Sequence, residues 1–85
     1  MREFKYVITD SQGIHARPAG EFVKAAKGFA SSISVTKGEK KVNAKNILGL
    51  MGLGVKKGEE ILVQAEGEDE ESAAAALQNF LKENL

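Results

Sequence analysis

Apolar and polar positions alternate along Phe4-Lys5-Tyr6-Val7-Ile8, which predicts a strand with Phe4, Tyr6 and Ile8 facing inward. Asp10-Ser11-Gln12-Gly13 carries turn chemistry. From residue 16 the period lengthens. Ala19, Phe22, Val23 and Ala26 fall on the i, i+3, i+4, i+7 stripe of an amphipathic helix, with Gly28 placed to end it in a left-handed cap. Ile33 and Val35 alternate with serines, Val42 sits in a second short polar strand, and Lys37-Gly38-Glu39 between them predicts a hairpin. Asn46 is a favoured N-cap ahead of the short apolar segment from Ile47 to Leu53. Gly54 and Gly58 bracket a loop, and Ile61, Val63 and Ala65 alternate as a last strand. Asp69 is placed to cap a final helix, with Glu70 and Glu71 complementing its positive end and Ala73, Leu77, Phe80 and Leu81 forming its buried stripe.

The element order is therefore βαββαβα. Each helix needs an apolar surface to cover, and the strands offer one inward face. The fold class that follows is α+β: a two-layer sandwich of an antiparallel four-stranded sheet with three helices on one face. The same order also suits a ferredoxin-like fold, and periodicity does not decide between strand orders. Eighty-five residues suffice for one domain, 1–85, and not for a second core.

Composition narrows the function classes. A hydrophobic fraction of 42% and a charged fraction of 28% are ordinary for a globular protein. There is no cysteine, and one histidine, so a thiolate metal site is excluded and no metal or cofactor is expected. The first residues, MREFKYVITD, lack the apolar core of a signal peptide, and no apolar run approaches a membrane span, so a cytoplasmic location is expected. Net charge is zero, which gives no argument for nucleic acid. Lys24, Lys27, Lys37, Lys40, Lys41 and Lys45 nevertheless concentrate in the middle of the chain, and Glu59 to Glu71 is acidic. Such polarity makes two solvated faces, or steers an acidic partner to the basic side.

The chemistry is concentrated in Gly13-Ile14-His15-Ala16-Arg17-Pro18-Ala19-Gly20, at the junction of turn and first helix. His15 stands at the N-cap position, so the backbone N–H groups of Ala16 and Arg17 face its side chain and lack intrahelical partners. A helix N-terminus attracts anions through those donors and the aligned peptide dipoles. A phosphoryl group on the imidazole would meet both, and Arg17 adds a planar fork of donors suited to phosphate oxygens. Pro18 needs no N–H in the first turn, although it restricts Arg17 and so bears on where the helix begins. A histidine in this position also suits a plain cap or a surface residue. A Ser11–His15 hydrolase pair has no supporting carboxylate identified in the sequence and no nucleophile elbow, and no glycine-rich nucleotide loop is present.

At 100° per residue, Ile47, Leu48 and Met51 occupy one arc of the second helix and Leu50 and Leu53 another. A helix lying on one sheet buries a single arc, so the other is expected to be exposed, as partner surfaces are. The alternative is that loops fold around all five.

Three segments resemble the HPr family of phosphocarrier proteins of the bacterial phosphoenolpyruvate-dependent sugar phosphotransferase system. They are Gly13-Ile14-His15-Ala16-Arg17-Pro18-Ala19, the helix Phe22 to Phe29, and Val42 to Val55. The resemblance implies an open-faced β-sandwich of strand order 1-4-2-3. It also implies a carrier, not an autonomous enzyme, that takes a phosphoryl group from phosphorylated enzyme I onto Nδ1 of His15 and delivers it to enzyme IIA domains. Arg17 then stabilises the charge in transfer, and Arg17, Lys24, Lys27, Ile47, Leu48 and Met51 match the surface that meets both partners. The chain is expected to act as a monomer. Family members commonly carry a kinase-target serine where this chain has Asn46, so that regulation is not expected here. A regulatory interaction protein of the same fold, a nitrogen-related phosphorelay member and a small metabolite-binding domain are the competing readings. Retention of His15, Arg17 and Pro18 favours the carrier.

Overall fold

The structure, a computed structural model, describes residues Met1–Leu85. Seven elements follow one another: β1 (Arg2–Val7), α1 (Ala16–Lys27), β2 (Ser32–Lys37), β3 (Lys40–Asn43), α2 (Ile47–Gly52), β4 (Glu60–Glu66) and α3 (Glu70–Asn84). The strands form one antiparallel sheet in the order β1-β4-β2-β3. That is the order implied by the family resemblance, and a fold of this kind is an open-faced sandwich.

Register explains the layering. Phe4 opposes Val63 and Tyr6 opposes Ile61, while Val35 opposes both Val63 and Val42, so apolar positions stack across the four strands. Ile33, Val35, Ile61, Val63 and Ala65 are buried, and the alternate residues point to the uncovered face. The helices bury their stripes on the apolar side: Ala19, Phe22, Val23 and Ala26 from α1, and Ala73, Leu77 and Leu81 from α3. Phe80 is only partly buried and meets Phe22 edge-on, with ring centroids 5.7 Å apart.

Between β2 and β3 the chain turns in two residues. Gly38 takes φ +59° and Glu39 does not follow it into positive φ, as in the type II′ hairpin turn, whose twist matches the strands.

Two expected caps differ. Gly28 is right-handed, at φ −73°, not left-handed. Its N–H reaches Ala25 O at 3.1 Å and that of Phe29 reaches Ala26 O at 3.2 Å, so the last turn of α1 tightens instead of reversing. Asp69 does precede α3, but its side chain caps nothing there. It accepts instead from the N–H of Ala30 at 2.8 Å, the N–H of Ser31 at 2.9 Å and the Ser31 hydroxyl. Glu70 reaches back to the Gly67 N–H at 3.2 Å.

Candidate functional site

Residues 9–15 form a loop held from two sides. Thr9 and Asp10 donate their N–H groups to Leu85 O at 2.6 and 3.0 Å, and Ile14 donates to Val55 O at 3.0 Å. Within the loop, Asp10 Oδ1 accepts the Gln12 N–H at 2.8 Å and Asp10 O accepts the Gly13 N–H at 2.9 Å. Gly13 lies at φ +67°, and a Cβ there would sit 2.2 Å from Val55 O. Only glycine fits this crossing. Buried Ile14 then anchors the chain one residue before the histidine.

His15 is the N-cap residue of α1, extended at φ −101° and ψ 178°, and its ring makes no capping hydrogen bond. Its carbonyl accepts the Ala19 N–H at 2.9 Å, the first intrahelical bond. The N–H groups of Ala16 and Arg17 therefore have no partner within the helix, and Pro18 has none to offer. Proline does not displace the helix start, since Arg17 already lies within α1. There is no acidic residue in that first turn to neutralise its positive end. Arg17 is exposed and takes part in no ion pair with the protein, so its donors are free for a ligand. Pro18 is buried and fixes the turn from below.

One neighbour of His15 was missed by sequence reasoning. Asp10 Oδ2 lies 3.7 Å from Nε2 of the ring. An aspartate five residues upstream reads as turn chemistry, and it is the loop closure on Leu85 and Val55 that folds it back onto the histidine.

The second helix exposes the arc read from its spacing. Leu48 is 80% exposed, Met51 40% and Ile47 37%, while Leu50 is 1% and Leu53 3% exposed. Asn46 caps it, accepting the Gly49 N–H at 3.1 Å through Oδ1. A Cβ on Gly20 would lie 3.6 Å from Cδ1 of Ile47, so the apolar arc borders α1 about one and a half turns beyond His15. Lys24 and Lys27 are exposed in the last turn of the same helix. The C-terminus of α2 is held by Lys37, whose Nζ reaches Leu53 O at 3.3 Å, Gly54 O at 3.1 Å and Glu59 at 3.1 Å. Backbone donation from Lys56, then the Lys37 ammonium, hold the Glu59 carboxyl below its ordinary value. No helix is long and apolar enough to cross a membrane.

An imidazole at an open helix N-terminus, beside a free arginine and an exposed apolar arc, makes a surface site open to an anion. Residues 2–83 match the family model for the HPr component phosphorylation site of the phosphotransferase system. A phosphocarrier protein HPr from Lysinibacillus sphaericus is 46% identical over 83 residues, spanning 98% of this chain and 94% of its own. The crystal structure of an HPr from Thermoanaerobacter tengcongensis superposes with a TM-score of 0.93 at 48% identity, covering 96% of this chain and 92% of that one. Crh of Bacillus subtilis, a catabolite repression protein crystallised as a domain-swapped dimer, superposes with a TM-score of 0.79 at 41% identity, covering 100% and 98%. The chain belongs to the HPr family of the phosphotransferase system. It is a phosphoryl carrier, not a catalyst in its own right, and the family implies enzyme I and enzyme IIA domains as its partners.

Proposed function

We propose that His15 is the residue that carries the phosphoryl group, on Nδ1, and that Arg17 balances charge as the group arrives and leaves. The observation that carries this reading is the unpartnered first turn of α1, open to an anion directly beside the chain's single imidazole. During transfer the ring lone pair forms the new P–N bond as the bond from phosphorus to the donor breaks. The N–H groups of Ala16 and Arg17 and the Arg17 guanidinium then receive the phosphate oxygens. Positioning and electrostatics dominate such a step, and the partner enzymes supply the rest of the machinery.

Docking falls to Ile47, Leu48 and Met51, with Arg17, Lys24 and Lys27 as a basic rim for acidic partners. The protein works as a cytoplasmic monomer, since both partners must read the same surface in turn. Asn46 leaves the kinase-serine route of the family closed. A purely regulatory, Crh-like role has less in its favour, because an interaction module has no need of His15, Arg17 and Pro18 together. Incubation with phosphoenolpyruvate and enzyme I, followed by mapping of an acid-labile phosphate to His15, tests the assignment.

A further inference from the structure

We infer that Asp10 is a positioning residue that sets the tautomer of His15, holding the ring proton on Nε2 and leaving the lone pair on Nδ1. The inference deepens the reading of His15 as acceptor and rests on it for its consequence in transfer. It starts from the loop. Asp10 is fixed at both ends of its backbone, by Leu85 O on its N–H and by the Gly13 N–H on its carbonyl, at 3.0 and 2.9 Å. Its Oδ1 is occupied by the Gln12 N–H at 2.8 Å. The carboxylate therefore has one free oxygen, Oδ2, and this lies 3.7 Å from Nε2 of His15.

An ionised carboxylate accepts hydrogen bonds and cannot donate them. A bare Nε2 would turn its lone pair toward an anionic oxygen, whereas Nε2–H turns its positive end there. A neutral imidazole carries one N–H, so a proton favoured on Nε2 leaves Nδ1 unprotonated. At 3.7 Å the pair is beyond direct hydrogen-bond range, and the bias is electrostatic. Both side chains are partly exposed, which limits it to about a threefold change in the tautomer ratio. When Nδ1 forms its bond to phosphorus and the donor's bond to phosphorus breaks, the Nε2 proton stays on the ring. The ring is then cationic, with the Asp10 carboxylate as its counter-charge.

Asparagine separates this role from a merely structural one. In Asp10→Asn the side-chain oxygen keeps the Gln12 N–H, so the loop is retained and the amide nitrogen replaces Oδ2. That nitrogen donates, and it favours a bare Nε2 with the proton on Nδ1. Ring nitrogen NMR of the unphosphorylated protein, at a pH where the imidazole is neutral, reads the populations directly. The expected result is a majority of Nε2–H in the native protein, a ratio about threefold lower in Asp10→Ala, and a still lower ratio in Asp10→Asn. Single-turnover phosphoryl acceptance from enzyme I should fall in the same order. A structural role gives the opposite ranking, with Asp10→Asn like the native protein and Asp10→Ala worst. That ranking, or a majority of Nδ1–H in the native protein, would overturn the inference. If the tautomers shift as expected but the native protein accepts no phosphate on His15, the carrier assignment fails and the Asp10 effect stands.

Discussion

Ser31 donates both its hydroxyl and its backbone N–H to the carboxylate of Asp69, joining the end of α1 and start of β2 to the start of α3. The hydroxyl bond, then the Ala30 N–H, hold the Asp69 carboxyl below its ordinary value, against an opposing effect of burial. The unfolded chain, with its carboxyl near ~3.9, then binds more protons than the folded one in acid. Stability linked to Asp69 is therefore fully present above that value and is lost as pH falls through the lower folded value. Unfolding by urea across pH 2 to 6 should give a steeper acid loss for the native protein than for Asp69→Asn. Equal slopes would show that Asp69 contributes nothing to the acid dependence of stability.

Gly13 occupies a crossing that no side chain fits, at φ +67° and against Val55 O. Gly13→Ala should destabilise the fold by about 2 kcal/mol and displace His15 from the helix start. Chemical denaturation reads the first effect and phosphoryl acceptance the second. An alanine variant of native stability would mean that the loop can move aside at no cost.

Met51→Asp should weaken binding to enzyme I by about tenfold or more, because a carboxylate would have to be desolvated in an apolar contact. Stability should change by no more than about 0.5 kcal/mol, as at other exposed positions. Leu50→Ala, one residue away and buried, should cost about 3 kcal/mol. Calorimetric titration and thermal melting distinguish the two. Similar destabilisation by both variants would place Met51 in the core.

These faces were legible because periodicity encodes burial directly. The stripes of α1 and α3, the split of α2 into two arcs and the inward positions of the strands all follow from spacing. The N-cap place of His15 followed from where the helical period begins. Strand order did not, because it depends on which strands meet across the sheet and entered only through the family resemblance. The contacts of Asp69 and Asp10 were also out of reach, since Asp69 bonds to a distant segment and Asp10 is turned toward His15 by closure of the loop on Leu85 and Val55. Gly28 was misread because glycine permits a left-handed cap without requiring one, and the last turn of α1 closes by i to i+3 bonds instead. Ala44 and Leu85 are buried in irregular segments, where no period marks a core residue.

Asn46 keeps the cap of α2 and lacks the hydroxyl that a serine kinase needs. The protein should therefore remain unmodified when incubated with ATP and the family's kinase, and transfer from enzyme I should be unaffected. Asn46→Ser should keep the cap and gain an acid-stable phosphate beside the docking arc, lowering transfer. An acid-stable phosphate on the native protein, accompanied by loss of transfer, would contradict this.

The role proposed for His15 is that it alone receives the phosphoryl group and passes it on. The most direct measurement is intact-mass spectrometry after incubation with phosphoenolpyruvate and enzyme I, on the native protein and on His15→Ala, before and after addition of an enzyme IIA domain. The expected result is one acid-labile phosphoryl group on the native protein, its disappearance as enzyme IIA becomes phosphorylated, and none on a fully folded His15→Ala. Phosphorylation of the alanine variant, or an acid-stable group on the native protein, would contradict it.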